Sequence, residues 1–499
     1  MRIIFGFVFV TTIIGCNTMK SSFDARKKYS PQQLDKDYSI FQNILQENHP
    51  GLYWYTSKDS MDYYFNWGRQ QIKDSLTEPQ FKNVLSYVLA KIDCGHTTAR
   101  LSKHYLNYLD TLNNEKFFPL SLKLWDDTAV VSANLHRRDT VLKRGTVIVS
   151  INNRPIKTIT DTLFKYVSSD GVNFTHKCQV LSNRGGFGSL YTTIYGLSQR
   201  YNVEYLDTFG VKHSTTIPVY DPMKDSFNRS ASRQFIRPTR KQQKKNSLQT
   251  ARTLRIDTAS QSAFLEVNTF GRGYKLSKFF KQTFRSLRKT NVQYLIVDVR
   301  SNGGGSVTNS TLLTKYFSDH RFKIADSLYA INRNSDQGKY INKYFFNKVF
   351  MWFFTSKKKD GHYHFGYFER HVFKPKGKNH FDGKTYILTG GNSFSATTLF
   401  VNGVINQDNV TAVGEETGGG AYGNTAWLIP DVRLPETKVE FRLPLFRLVM
   451  DKNYPKTGRG IQPEVLVKPT VSAIRKNEDY KLNKVLEMIN EDKKKRAKP

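Results

Sequence analysis

Between residues 257 and 470, short apolar runs alternate with stretches that carry apolar residues at helical spacing. The runs are "SAFLEVNTF", "YLIVDVR", "TYILTG" and "VTAVG", and helices are predicted from Leu276 to Arg288, Val307 to Phe317 and Ser395 to Ile405. Apolar strands separated by amphipathic helices indicate an α/β core built on a largely parallel sheet. An aromatic and basic insertion, residues 339–380, interrupts the pattern and contains "FFNKVFMWFF". It reads as a lid, a partner-binding helix or simply core. Its His362, His364 and His371 lack the carboxylates or cysteines that would complete a metal site.

The chain upstream has a different character. Ser30 and Pro31 form a helix cap and first helical position, and Leu34, Tyr38, Phe41 and Leu45 recur at helical spacing. A second helical stretch begins near Ser57 and a third near Thr77, ending at "KIDCGHTTARL", where Gly95 is a stop signal. Residues 31–105 are thus a helical unit. From Phe117 the pattern becomes strands: "PLSLKLW", "AVVSANL", then "GTVIVSINNRPI" with Asn152 and Asn153 in a tight turn. A helix from Thr160 to Val167 and strands at Ser189–Thr193 and Tyr201–Leu206 complete a β-rich module over 115–220. Residues 221–256 are a basic linker whose segment Phe235–Arg255 reads as solvated, and 471–499 form a basic helical tail.

Length and composition allow several cores: 499 residues, 38 % hydrophobic and 13 % aromatic, fit globular packing and not disorder. The net charge of +34, from 76 basic against 42 acidic side chains, favours polyanionic surfaces or serves solubility. No zinc-finger spacing or aromatic-basic signature accompanies it, so specific nucleic-acid binding is not expected. Contact of the basic linker with anionic lipid is the alternative to a plain solvated loop.

"MRIIFGFVFVTTIIGC" joins Arg2 to an apolar run too short to span a bilayer, followed by Gly15 and Cys16. It reads as a secretory signal over 1–16, with a polar linker over 17–30. Its end resembles a bacterial lipoprotein signal, which implies lipidation of Cys16 and a membrane-anchored place in the cell envelope. Cys94 and Cys178 could pair in such an oxidising compartment, although their spacing does not demand it.

Two loops carry the chemistry. In "VDVRSNGGGSV", a strand ends in Asp298, Arg300 and Asn302 before three glycines and a helix start. Converging backbone amides there form an anion cradle, suited to phosphate or a developing oxyanion. The Lys-Ser/Thr of a phosphate loop is missing, which argues against nucleotide. In "LTGGNSFSATTLF", a strand runs through Gly390 and Gly391 into Ser393 and Ser395 at a helix start. This is the pattern of a nucleophile elbow, and either serine could instead cap the helix.

Taken in order, these pieces resemble the tail-specific (C-terminal processing) serine peptidase family. The resemblance rests on the helical unit, a strand–turn–helix module that is PDZ-like, "DVRSNGGG", "GGNSFSATTLF", "VGEETGGG" and "GRGIQPEV". It implies a multi-domain α/β protein: an N-terminal helical unit, a PDZ-like β-rich module, and a peptidase core of crotonase-like (ClpP/crotonase) type over 257–470. It implies Ser395 as nucleophile with Ser393 shaping the turn, and oxyanion donors at Ala396 and at Gly303 or Gly304. The best-known branch uses a lysine as base in a Gly-Lys-Gly element, where this chain reads Gly418 to Gly423 without lysine. "CGHTTARL" is similar to the Gly-His-Thr element of the branch related to the tricorn core protease, which implies His96 as general base. That branch has serine where Gly95 stands and a glutamate where Thr457 stands. Asp93, Glu415 and Glu416 are the acids left to orient the imidazole.

The implied activity is an extracytoplasmic, lipid-anchored serine endopeptidase acting on polypeptides, with no metal or organic cofactor. A peptide-binding lipoprotein on the same scaffold, without catalysis, is the alternative.

Overall fold

The computed structural model describes residues 23–112, 115–226 and 238–496. The signal segment and Cys16 lie outside the described residues, as does part of the basic linker. Among the described residues no helix is long and apolar enough to cross a membrane.

The α/β core is a six-stranded sheet in the spatial order Arg252–Asp257, Ser262–Val267, Tyr294–Asp298, Lys384–Thr389, Val410–Gly414 and Val465–Leu466. The first pair is antiparallel and every later pairing is parallel. Strands of such a sheet are buried on both faces. Here the helices Leu276–Lys289, Val307–Thr314 and Ala396–Asn402 cover one face, with Phe280, Phe284, Leu313 and Phe400 packed on Leu265, Val297 and Ile387. The C-terminal helix Tyr480–Arg496 covers the other, with Val485 and Ile489 on Ile296, Tyr386 and Leu388. The segment expected to be a basic tail is therefore a structural layer of the core.

The three N-terminal helices follow their caps. Pro31–Asn48 starts behind a Ser30/Gln33 capping box, Lys58–Gln70 behind Ser57, and Glu78–Ala90 behind Thr77. Leu34, Phe41, Phe81 and Leu85 are buried in a core that they share with Phe441, Phe446 and Leu448 from the other end of the chain. The β-rich module is a sheet ordered Leu120–Trp125, Thr128–Asn134, Val147–Ile151, Arg200–Leu206 and Lys212–Pro218, with the short Arg154–Pro155 strand attached to Val147–Ile151. Asn152 and Asn153 both take positive φ in the tight turn between them.

Two sequence expectations need correction. Residues Ser189–Thr193 lie inside the helix Gly186–Tyr195, whose Phe187 and Tyr191 pack into the module's core; their one-turn spacing suits a helix. The basic linker is not simply solvated coil. Its described part holds the helix Arg240–Ala251, opened by a Thr239/Gln242 capping box, and then the edge strand of the core sheet. Only Ala251 of that helix is buried, so local capping and not apolar periodicity defines it. Cys94 and Cys178 are both buried free thiols.

The insertion 339–380 contributes the helix Tyr344–Phe354 and the strands Ser356–Lys357 and Tyr363–His364 to a separate five-stranded sheet. His364 is buried between Asp360 and Glu369, at 2.8 and 2.6 Å.

The C-terminal helix is fastened to the strand ends by buried charge. Lys481 Nζ donates to the Thr389 carbonyl at 2.9 Å and pairs with Glu415 at 2.7 Å. Burial lowers the Lys481 pKa to about 8, against the pull of Glu415. Removing one partner of a buried pair strands the other charge and costs about 3–5 kcal/mol. Glu415→Ala is expected to destabilise by that amount in urea unfolding, and adding Lys481→Met should recover most of it. A loss below about 1 kcal/mol would show that the pair is effectively solvated.

Candidate active site

The strands Tyr294–Asp298 and Lys384–Thr389 are neighbours, and both candidate loops leave from their C-terminal ends. Open parallel sheets bind ligands at that end. Side chains tie the two loops together. Ser393 Oγ donates to the Val299 carbonyl at 2.9 Å and accepts the Gly390 amide at 3.2 Å. The Phe394 amide donates to the Asn302 carbonyl at 3.1 Å. Asn302, fully buried, donates from Nδ2 to the Val267 carbonyl and accepts the Gly304 amide. Ser393 is thus a turn-shaping residue.

Ser395 sits at the point of the turn with φ 59° and ψ −121°, immediately before the helix Ala396–Asn402. A non-glycine residue there costs about 1–3 kcal/mol and persists only when the surroundings impose it. Gly304 supplies that constraint. A Cβ on it would lie 2.7 Å from Ser395 Cβ and 2.9 Å from the Ala396 nitrogen, and its φ is +98°. From the other side, a Cβ on Gly419 would meet the Ser395 nitrogen at 3.1 Å and Thr398 Oγ1 at 2.2 Å. Ser395 is pressed between two glycine loops, as the strand–elbow–helix pattern requires.

The serine faces a cavity of about 630 Å³ shared with Gly305, Ala396, Asn424, Phe350, Phe365 and Trp427 among others. Of the glycine run, Gly304 has its amide committed to Asn302 Oδ1 at 2.9 Å, so it is not a free oxyanion donor. Gly303 and Gly305 are both exposed, and of the two Gly305 lines this cavity. Ala396 and Gly305 line the cavity beside Ser395.

His96 is buried, and its ring packs on the Phe394 ring with centroids 4.6 Å apart. Neither ring nitrogen has a hydrogen-bond partner. The imidazole thus reaches the residue beside the nucleophile but makes no hydrogen bond to the Ser395 hydroxyl. Burial lowers its pKa to about 4, opposed by the nearby Asp170 carboxylate. Gly95 explains the packing: a Cβ there would sit 2.7 Å from the tip of the Phe394 ring and 3.2 Å from Asp170 Oδ1. His176 stacks on the same phenylalanine at 4.9 Å, and its Nδ1 donates to the Gly391 carbonyl at 2.7 Å.

None of the three candidate orienting acids is hydrogen-bonded to the imidazole. Asp93 takes a positive φ, lies beside Lys91 and Lys177, and has its pKa raised to about 6 by burial. Glu415 is held by Lys481. Glu416 accepts the Gly460 amide at 2.6 Å and Thr175 Oγ1 at 3.1 Å, and pairs with Arg459, so it braces "GEETGGG" against "GRGIQPEV". The acid near the imidazole is Asp170, which sequence reading missed. It accepts the Gly95 amide at 2.8 Å and the Gly420 amide at 3.2 Å. "SSDG" gives no sign of this, because the link is made by folding and not by spacing. Cys94, His96 and Asp170 bring their ligand atoms within 4.8 Å of one another and form a buried set of a kind that can hold a metal. Cys94 Sγ already accepts Thr97 Oγ1 at 3.2 Å, and Asp170 its two amides.

One edge of the β-rich module is partly taken. Ser182 Oγ accepts the Leu124 amide at 2.8 Å, and Lys123 donates to Gln179. The other edge, Lys212–Pro218, is mostly exposed.

A parallel α/β sheet with a serine in a left-handed elbow, packed against a glycine loop, defines a domain of serine-hydrolase type. Residues 261–467 match the model of Peptidase family S41, and the chain carries a domain of that family. Among solved structures, mature CPAF complexed with lactacystin is 14 % identical, with 92 % of this chain and 99 % of that chain covered and a TM-score of 0.63. Mature CPAF alone is also 14 % identical, with 93 % and 98 % covered and a TM-score of 0.62. The photosystem II D1 C-terminal processing protease is 12 % identical, with 90 % and 98 % covered and a TM-score of 0.40. A search of curated proteins finds no match.

The packing of Gly304 against Ser395 yields a direct expectation. Gly304→Ala is expected to cost about 1–3 kcal/mol, the usual range for overpacking, in addition to the positive-φ penalty. It should displace Ser395 and remove its reactivity toward a phosphonylating probe. Chemical unfolding and probe labelling check the two effects, and a fully stable, fully reactive variant would contradict this packing.

Proposed function

We propose that the chain is a serine endopeptidase of the cell envelope, tethered through a lipid on Cys16 and cleaving polypeptides. The observation that carries the reading is the strained Ser395, with the Ala396 and Gly305 amides beside it on one cavity. The family match of residues 261–467 supports the same class of reaction.

In the proposed mechanism Ser395 Oγ bonds the scissile carbonyl carbon while its proton passes to His96. The carbonyl π electrons move onto oxygen, where the Ala396 and Gly305 amides stabilise the charge. Collapse expels the amine, which takes the proton from His96, and water then hydrolyses the acyl-enzyme by the same steps in reverse order. For His96 to reach Oγ, the Phe394 ring must swing off the imidazole, so the reading includes a closed resting form opened by substrate. The apolar lining of Phe350, Phe365, Trp427 and Leu428 suits a hydrophobic side chain next to the cleaved bond. A PDZ-like docking role for the β-rich module and a crotonase-like descent for the core are part of this proposal. The free edge for a docked peptide is then Lys212–Pro218.

The pH dependence has a definite sign. A histidine whose folded pKa is held near 4 is neutral, and able to accept a proton, well below its usual value of 6.5. The rate of Ser395 labelling by a fluorophosphonate should therefore hold across neutral pH and fall only toward pH 4. It should vanish in Ser395→Ala and drop by about 10²–10⁴-fold in His96→Ala. No serine-dependent labelling between about pH 6 and 9 would leave a peptide-holding lipoprotein in its place.

A further inference from the structure

The helix Tyr344–Phe354 turns its apolar stripe outward. Asn347 and Met351 are its buried positions, while Phe345, Phe346, Val349, Trp352 and Phe353 follow the i, i+1, i+4, i+7, i+8 spacing of one continuous face. That spacing in a globular helix ordinarily faces the core. Here Phe345, Phe346, Trp352 and Phe353 are 70, 71, 63 and 68 % exposed. They form two edge-to-face pairs, Phe345 with Phe346 at 5.8 Å and Trp352 with Phe353 at 4.7 Å. Isolated exposed apolar residues need no explanation, but a contiguous aromatic stripe marks an interaction surface.

The charge around the stripe selects the partner. Lys339, Lys343, Lys348, Lys357 and Lys359 are exposed along the helix and its flanks. Between residues 336 and 360 the chain has six lysines and two acids, Asp336 and Asp360. Among the described residues, Lys358 is the one of the six that pairs with a carboxylate, that of Glu369. An aromatic face rimmed by lysines has the composition of a helix that lies in the boundary between lipid headgroups and acyl chains. A second copy is a poorer occupant: twofold pairing would bring like sets of lysines together on a chain of net charge +34.

We propose that this helix seats on an anionic phospholipid surface, with its aromatic stripe in the headgroup–acyl boundary and its lysines at the phosphates. The contact is distinct from the lipid on Cys16 and from the basic linker. Phe350, on the inward side of the same helix, lines the Ser395 cavity together with Phe365. Seating therefore holds that cavity about one helix diameter, about 10 Å, from the lipid. Resting on the peptidase reading, the substrates are polypeptides that are themselves bound to the membrane.

The test uses the mature chain from residue 17, which carries neither the apolar signal segment nor the proposed acyl anchor, and phosphatidylcholine vesicles with or without about 30 % phosphatidylglycerol. Co-sedimentation with the anionic vesicles is expected, weakened by salt, and lowered at least about tenfold when Phe345, Phe346, Trp352 and Phe353 are replaced by serine. All four side chains point to solvent, and circular dichroism verifies that the variant folds. Brominated phosphatidylglycerol should quench tryptophan emission, and Trp352→Phe should lose most of the quenching yet keep the sedimentation. Equal sedimentation of parent and serine variant, or none by the parent, overturns the proposal. So does a concentration-dependent dimer that the serine variant abolishes, since a second copy would then cover the stripe. Ser395→Ala protein should bind the vesicles like its parent, so failure of the peptidase reading and failure of this one are seen separately.

Discussion

The hydrogen bonds that cross from one strand end to its neighbour hold the site in place. Ser393 to Val299 and Phe394 to Asn302 fasten the elbow to the glycine loop, and Asn302 fixes that loop to the strand Ser262–Val267 behind it. Three adjacent parallel strands thus end in one bonded unit. A serine at φ 59° would relax if either loop were free, because the left-handed backbone is unfavourable for a residue with a Cβ. The local conformation is a property of the sheet's register more than of the serine.

The same unit is clamped from the far face. Arg300 spans Asp298 and Asp479, and Lys481 spans Thr389 and Glu415, so the start of the C-terminal helix is bonded to three strand ends. Glu416 and Thr417 carry the tie on to Gly460 and Ile461. The motifs "VGEETGGG" and "GRGIQPEV" are in this sense structural: they place Gly419 against the Ser395 nitrogen. Glu415 and Glu416 are both engaged in that bracing.

Much of this was legible in the sequence because it is written in local patterns. The strands "YLIVD" and "VTAVG", the cap at Ser30, the helix starts near Ser57 and Thr77, and the Asn152–Asn153 turn depend on neighbours a few residues apart. The misreadings have separate causes. Gly186–Tyr195 is rich in β-formers that tertiary packing of Phe187 and Tyr191 turns into a helix. The helix after Thr239 has no apolar face to announce it. The places of Asp170 near His96 and of Gly305 on the Ser395 cavity depend on contacts between segments distant in sequence, and no spacing rule reports them.

The departure at position 95 and the unpartnered imidazole are one physical fact. Any side chain at 95 would collide with the Phe394 ring tip or with Asp170, so glycine is what admits the ring to that place. Once there, the ring covers the imidazole with a hydrocarbon face, which excludes water and offers no acceptor. The cost of that desolvation falls on the charged form, and the pKa drops toward 4 even with a carboxylate close by. Asp170 offsets only part of it: its charge raises the imidazole pKa, while its oxygens accept the Gly95 and Gly420 amides and make no hydrogen bond to the ring. The chain therefore keeps its imidazole neutral by burial under Phe394, and that cover belongs to the residue next to the serine it would serve.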